Sequence, residues 1–218
     1  MRYPFPMPLR DSLENWPLVG VILMAVALAA VWQGVEAAAL VSVLGAAAWY
    51  GFGRQQPRMV PAQPGVVLCP ADGRIVRIEK ARDPYADREA LRISVFTSLF
   101  NGHANRACVD GVIRDVRYTP GQLVNAEVDA STGRQERNAV VIESNGQLVT
   151  LVQVAGFVAR RILCWVKPGD TLTRGQRYGL IRFGARVDVY LPPHAVPKVA
   201  PGDRVAATTT ILATLNPA

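Results

Sequence analysis

The chain has 218 residues, enough for one core of ordinary size and a short appendage beside it. Half its residues are hydrophobic and it carries a formal net charge of +7, spread as scattered arginine without a long basic run. Such charge suits an anionic membrane surface or a phosphate-bearing substrate, and no nucleic-acid signature accompanies it. Three cysteines, Cys69, Cys108 and Cys164, are odd in number and far apart, and only two histidines occur. A disulfide framework and a zinc site are therefore not expected, and the cysteines read as small buried hydrophobes in a reducing compartment.

In chain order, residues 1–16 read as a cytoplasmic N-terminal tail. From Pro17 to Phe52 the only charge is Glu36. Two apolar runs, Pro17–Trp32 and Ala37–Phe52, flank Gln33-Gly34-Val35-Glu36, and with their flanks each falls in the range of about 17–25 residues that crosses a bilayer. Trp16, Trp32, Trp49 and Tyr50 stand at the run ends as interfacial aromatics would. The expectation is a membrane-anchoring helical hairpin over 17–53. Arg2 and Arg10 before it and Arg54 and Arg58 after it put both ends on the cytoplasmic face of the cell's inner membrane. A cleaved signal peptide, a buried soluble helical pair and one continuous span are the competing readings.

Past Pro57 and Pro61 the text changes to short β-rich runs cut by Gly and Pro, and this body, 54–218, holds 22 Lys and Arg against 14 Asp and Glu. The expected fold class is an all-β body, barrel- or sandwich-like, with an N-terminal apolar α-helical membrane hairpin. Three stretches echo one another: Tyr118–Val124, Val166–Leu172 and Val199–Val205 each hold a Pro-Gly pair followed two residues later by Leu or Val. Pro then Gly supplies the fixed φ and the positive φ of a type II turn, so Pro-Gly hairpin repeats are expected. Biotinyl and lipoyl carriers use similar turns to present a lysine. The three lysines here, Lys80, Lys167 and Lys198, lack that hairpin-tip context.

Four stretches carry the chemistry: "PADGRI" (Pro70–Ile75), "NGHANRACVDG" (Asn101–Gly111), "QERN" (Gln135–Asn138) with "QVAGFVARRI" (Gln153–Ile162), and "RFGARVDVYLP" (Arg182–Pro192). In this order and spacing the chain resembles the short-form phosphatidylserine decarboxylases, pyruvoyl enzymes of phospholipid synthesis. The resemblance runs from about Gly53 to Pro192, and an apolar head is also what that group carries.

The resemblance implies a proenzyme that cuts itself at a Gly-Ser bond, where the serine hydroxyl attacks the preceding carbonyl and elimination leaves a pyruvoyl group on the new N-terminus. That ketone forms a Schiff base with the substrate amine and withdraws electrons as the carboxylate leaves, giving the ethanolamine lipid and carbon dioxide. The cut falls between Gly184 and residue 185, which would divide the body into a β chain ending at 184 and an α chain of 185–218. Residue 185 is alanine. It has no oxygen, so it can neither attack the Gly184 carbonyl nor become a ketone, and none of the eighteen glycines is followed by Ser, Thr or Cys. The replacement reads as a deliberate change that traps an uncut precursor, since the surrounding motifs are retained, or as a natural relative that has lost processing.

By the same resemblance Asp72 orients or activates the base that serves the cleavage residue, against its plain reading as a turn former. His103 is the base for self-cleavage and the acid or base in decarboxylation. Some longer members carry a second histidine where this chain has Arg106. Arg106, Arg161, Arg182 and Arg186 are candidates to hold the lipid phosphate or carboxylate, with solvated charge or pairing to acids such as Asp188 as the bland reading. Arg160 and Arg161 alternate along a strand, so only one of them faces a given pocket. His194 reads as a loop residue, and no metal is expected. Gly102 and Ala104 replace bulkier residues common in the group and would reshape the lipid entrance.

The implied partners are phosphatidylserine or a related serine phospholipid, the membrane, and a second copy in a homodimer, with no nucleic acid. The alternative is a membrane-tethered anionic-lipid-binding pseudoenzyme, and a biotinyl-type carrier is a third and weaker reading.

Overall fold

The computed structural model describes residues 16–34, 39–46, 59–97, 104–121, 135–156, 162–181 and 185–215. The chain divides into two compact units, Met1–Pro57 and Arg58–Ala218.

In the first unit, helix α1 spans Trp16–Gln33, and a second helical stretch covers 39–46. Gly34 follows α1 at φ +86°, the left-handed conformation that ends helices and that glycine adopts without a Cβ clash. The expected membrane-spanning hairpin over 17–53 is corrected here. Helix α1 has eighteen residues, and eight residues of the second stretch are described. Among the described residues no helix is long and apolar enough to cross a membrane. Hydropathy reports composition, whereas spanning also requires unbroken helical length.

The second unit is mostly β-sheet. Its strands are β1 (Val66–Leu68), β2 (Gly73–Asp83), β3 (Arg88–Thr97), β4 (Ala104–Arg106), β5 (Gly111–Thr119), β6 (Arg137–Ser144) and β7 (Gln147–Ala155). There follow β8 (Ile162–Cys164), β9 (Thr171–Leu172), β10 (Arg177–Ile181), β11 (Ala185–Leu191), β12 (Val196–Pro197), β13 (Arg204–Val205) and β14 (Ile211–Thr214). An eight-stranded sheet runs β13-β2-β3-β11-β7-β6-β5-β9, and two three-stranded sheets run β1-β14-β12 and β4-β10-β8.

The alternation of side chains explains the core. Val187, Val189 and Leu191 of β11 are fully buried, and Val189 and Leu191 join Ile93, Val95, Val149, Leu151, Val140 and Ile142 in the main cluster. The intervening residues meet a second buried set on the other face: Ala90, Ala139, Val152, Val154 and Tyr190. The central strands are thus buried on both faces, which is why "QLVTLVQVA" is nearly continuously apolar.

Two of the three echoed Pro-Gly pairs adopt the expected turn. Gly169 has φ +90° and Gly202 φ +97°, and the Asp170 and Asp203 amides donate to the Lys167 and Ala200 carbonyls at 3.1 and 3.2 Å. Each aspartate carboxylate then accepts from the amide that opens its turn, Lys167 N at 2.9 Å and Ala200 N at 2.8 Å. These turns do not close hairpins, which corrects the expectation. The first joins β8 to β9 and the second joins β12 to β13, so each carries the chain from one sheet to another. The hairpins use other residues: Asn145-Gly146, at φ +48° and +75°, joins β6 to β7, and a turn ending at Asp87 (φ +47°) joins β2 to β3. The third pair, Pro120-Gly121, follows β5 directly, and the residues after it lie outside the described set.

Gly202→Ala should lower stability by about 1 kcal/mol or more through strain at positive φ. Asp203→Ala should cost about 1 kcal/mol through the lost turn bond. Urea midpoints at constant slope check both, and an unchanged midpoint for Gly202→Ala would contradict the turn assignment.

Candidate active site

Three connections lead from the eight-stranded sheet into the sheet β4-β10-β8. Residues 98–103 join β3 to β4, 157–161 join β7 to β8, and 182–184 join β10 to β11. The strand orders correspond: β3, β11 and β7, neighbours in one sheet, are joined by these connections to β4, β10 and β8, neighbours in the other. Three neighbouring strands therefore leave one sheet and re-enter the next as neighbours. Ala185 occupies the middle of the first row, opposite Thr97 on one side and Ala155 on the other. Across the break, Ala104 pairs with Leu180 and Ile162 with Ile181.

His103, Arg160, Arg161, Arg182 and Gly184 fall on these connections and lie outside the described residues, as do Gly102 and the other residues of 98–103. The strand ends that flank them are neighbours.

Asp72 enters from a fourth direction. The Arg106 amide donates to the Pro70 carbonyl at 2.9 Å, tying "PADG" to the strand that follows His103. Ala71 packs in a small buried cluster with Ala155, Ile162, Ile181 and Val187, the residues that frame the break. The Asp72 carboxylate is half-buried, and its Oδ1 accepts the Ala207 amide at 2.8 Å, which fixes its orientation. Arg106 donates from its guanidinium to the Gly175 carbonyl at 2.8 Å, a bond that braces β4. Arg186 places Nε 2.9 Å from Asp188 Oδ1, the pairing that the bland reading anticipated. His194 is exposed in the turn after β11.

Four residues that sequence reasoning passed over complete the arrangement. Asn138 Nδ2 donates to Gln153 Oε1 at 2.9 Å, and Gln153 Nε2 donates to Asn105 Oδ1 at 2.7 Å. All three are buried, Gln153 completely, and they come from two of the four quoted stretches. This amide chain bridges the two sheets across the break. Gly179 of β10 makes room for it, since a Cβ there would lie 2.4 Å from the Leu163 carbonyl oxygen and 2.9 Å from Gln153 Nε2.

Glu136 is the fourth, only 6% exposed. Its carbonyl accepts the Ala155 amide at 3.0 Å, while its carboxylate accepts the Ile162 amide at 3.1 Å and the Tyr118 hydroxyl at 3.0 Å. One residue thus fastens both ends of the 157–161 connection. The available signal was the placement of Asn, Gln and Glu inside otherwise apolar strand text, since buried polar groups must find partners.

Burial disfavours the thiolate form of two of the cysteines. Burial pushes the Cys108 thiol well above its usual range, with Cys69 adding to the rise, and burial also raises Cys164. Burial, then Cys108 and Cys164, push the Tyr178 hydroxyl well up. Among the described residues no group of three or more His, Cys, Asp or Glu could hold a metal ion.

The pattern of the phosphatidylserine decarboxylase family matches residues 46–213. The chain belongs to that family. A phosphatidylserine decarboxylase proenzyme of Cupriavidus pinatubonensis is 53% identical over 222 residues, covering 99% of each chain. Those of Ralstonia pickettii and Burkholderia mallei are 51% identical over 215 residues and 50% identical over 221, each covering at least 98% of both chains. The family is one of decarboxylases, so the paired strand ends around Ala185 lie in the fold of a carbon–carbon lyase.

Gln153→Leu should strand the Asn105 and Asn138 amides at about 1–3 kcal/mol each, and replacing all three residues by leucine should recover part of the loss. Chemical denaturation measures this, and a triple variant less stable than the single one would contradict the bridging role. A thiol reagent at mildly alkaline pH should modify Cys164 slowly and reach Cys69 and Cys108 only on unfolding. Rapid modification of all three in the native protein would contradict their burial.

Proposed function

We propose that the chain is a phosphatidylserine decarboxylase proenzyme held uncut by Ala185. The observation that carries the reading is the position of Ala185 at the head of the central strand, paired on both sides with strands that lead into the segments holding His103 and Arg161. In this reading Gly184 and residue 185 form the cleavage site, and Asp72 orients the His103 base. Arg161 and Arg182 are the cations for the lipid phosphate and carboxylate. Arg106 and Arg186 serve the same anions from guanidinium groups already braced by the Gly175 carbonyl and Asp188.

The pyruvoyl group that the family's chemistry calls for does not fit residue 185 as it stands, because a methyl side chain supplies no oxygen to become a ketone. No decarboxylation step is therefore derived for this chain. A serine there would restore the hydroxyl, with the Gly184 carbonyl as its target and His103 as the acceptor of its proton.

The substrate is phosphatidylserine or a related serine phospholipid, and a bilayer lipid requires the body to meet the headgroup layer of the inner membrane at its cytoplasmic face. A homodimer accompanies this reading. The second reading, an anionic-lipid-binding pseudoenzyme, is favoured by the absence of any Gly-Ser, Gly-Thr or Gly-Cys pair in the chain.

Ala185→Ser should cut the chain into fragments of 184 and 34 residues, the shorter one blocked at its N-terminus. In that background Asp72→Asn or His103→Ala should slow cutting by about a hundredfold or more. Denaturing gels and intact mass measure both. A serine variant that stays whole after long incubation would favour the pseudoenzyme.

A further inference from the structure

The strand registers assemble a line of arginines of which the decarboxylase reading uses only Arg186. One cross-strand row of the eight-stranded sheet reads Arg204 (β13), Arg74 (β2), Phe96 (β3), Arg186 (β11), Val154 (β7) and Arg137 (β6). Directly paired residues share a face, so this row is a single band. It lies one residue step, about 3.3 Å, from the row Thr97–Ala185–Ala155.

The two halves of the band differ. Arg186 is answered by Asp188, and Arg137 lies beside the Tyr85 hydroxyl. Arg74 and Arg204 are exposed, stand directly opposite each other, and make no ion pair among the described residues. Like charges directly opposite on antiparallel strands repel, so this arrangement favours an external anion. Next to them Phe96 is 51% exposed, and Val76, at a bulge in β2, is 49% exposed.

We propose that Arg74, Arg204 and Phe96 form a docking edge for an anionic phospholipid surface. The inference rests on the reading of the chain as acting on a bilayer lipid, and it names the face that meets the bilayer. Guanidinium forks match phosphate oxygens, and paired cations gain from the negative surface potential of an anionic leaflet. Half-exposed Phe96 and Val76 add an apolar component suited to the boundary between headgroups and acyl chains. A diacyl substrate leaves the bilayer only at about 0.8 kcal/mol per CH₂, so the lipid surface must come to residue 185, and the band lies beside it. A second copy is the poorer occupant, because a two-fold contact on this face sets arginine against arginine. Nucleic acid would match the charge but would draw nothing from Val76.

The test uses the full chain with Ala185 and vesicles of phosphatidylcholine, pure or with about one third phosphatidylglycerol. Phosphatidylglycerol is anionic but has no serine, so the readout is surface docking and not substrate recognition. The chain should prefer the anionic vesicles, with the preference falling as salt rises. Arg74→Gln/Arg204→Gln should weaken binding to them about thirtyfold. Arg74→Lys/Arg204→Lys should keep most of it, and Phe96→Ala should weaken both vesicle types. Arg82→Gln, at the far end of the β2–β3 hairpin beside Asp87, should change binding less than twofold.

Equal binding to both vesicle types would overturn the proposal, as would undiminished binding by the double glutamine variant. A double variant that loses affinity for a DNA duplex while keeping vesicle binding would also overturn it. If the lysine pair binds as poorly as the glutamine pair, general damage and not charge is responsible, and the proposal fails. Self-cutting of Ala185→Ser is read on a gel without vesicles, so failure of the decarboxylase reading and failure of this docking edge are separately visible.

Discussion

Strand β11 is held on both sides along its length, by β3 and by β7, and this double pairing underlies the rest of the second unit. A strand fully paired on both edges has its backbone donors and acceptors satisfied and its position fixed along two partners at once. A slip of one residue against either neighbour would exchange its buried valines, Val187 and Val189, with Arg186 and Asp188. That exchange would strand charges in the main core, so the register is enforced by the cost of burying them. The same enforcement sets residue 185 opposite Thr97 and Ala155.

The break between the two sheets is kept in place by polar groups, not by apolar packing alone. The small apolar cluster around Ala71 fills space at the break, but dispersion contacts have little direction. The Asn138–Gln153–Asn105 chain and the Glu136 clamp have direction, since each bond depends on donor angle and distance. Placed in a low-dielectric interior, they penalise any arrangement that leaves one member unpaired. In the proposed reading a serine at residue 185 would need such constraint, because its hydroxyl would have to meet one particular carbonyl.

The two faces of the eight-stranded sheet carry different duties. One face packs the main core, and the other mixes Tyr190, Val152 and Val154 with arginines and their acids. A side chain's role then follows from the parity of its position. Arg186 shares a face with Arg74 and Phe96 through register alone, though more than a hundred residues separate Arg186 from Arg74 in the chain.

The β-rich runs, the type II geometry of Pro168-Gly169 and Pro201-Gly202, and the absence of an oxygen at residue 185 were all legible in the sequence, because each depends on local residue chemistry. The apolar head misled in one respect: its composition suggested spanning helices, but among the described residues no helix is long and apolar enough to cross a membrane. The sequence could not reveal that the Pro-Gly turns switch sheets, that Asn105, Asn138 and Gln153 meet in one buried chain, or that Glu136 secures both ends of a crossing. Nor could it bring "PADG", "NGHANR" and residue 185 to one break. Those relations are set by strand order and register, which come from the joint requirement to bury apolar faces and satisfy backbone groups across residues distant in the chain.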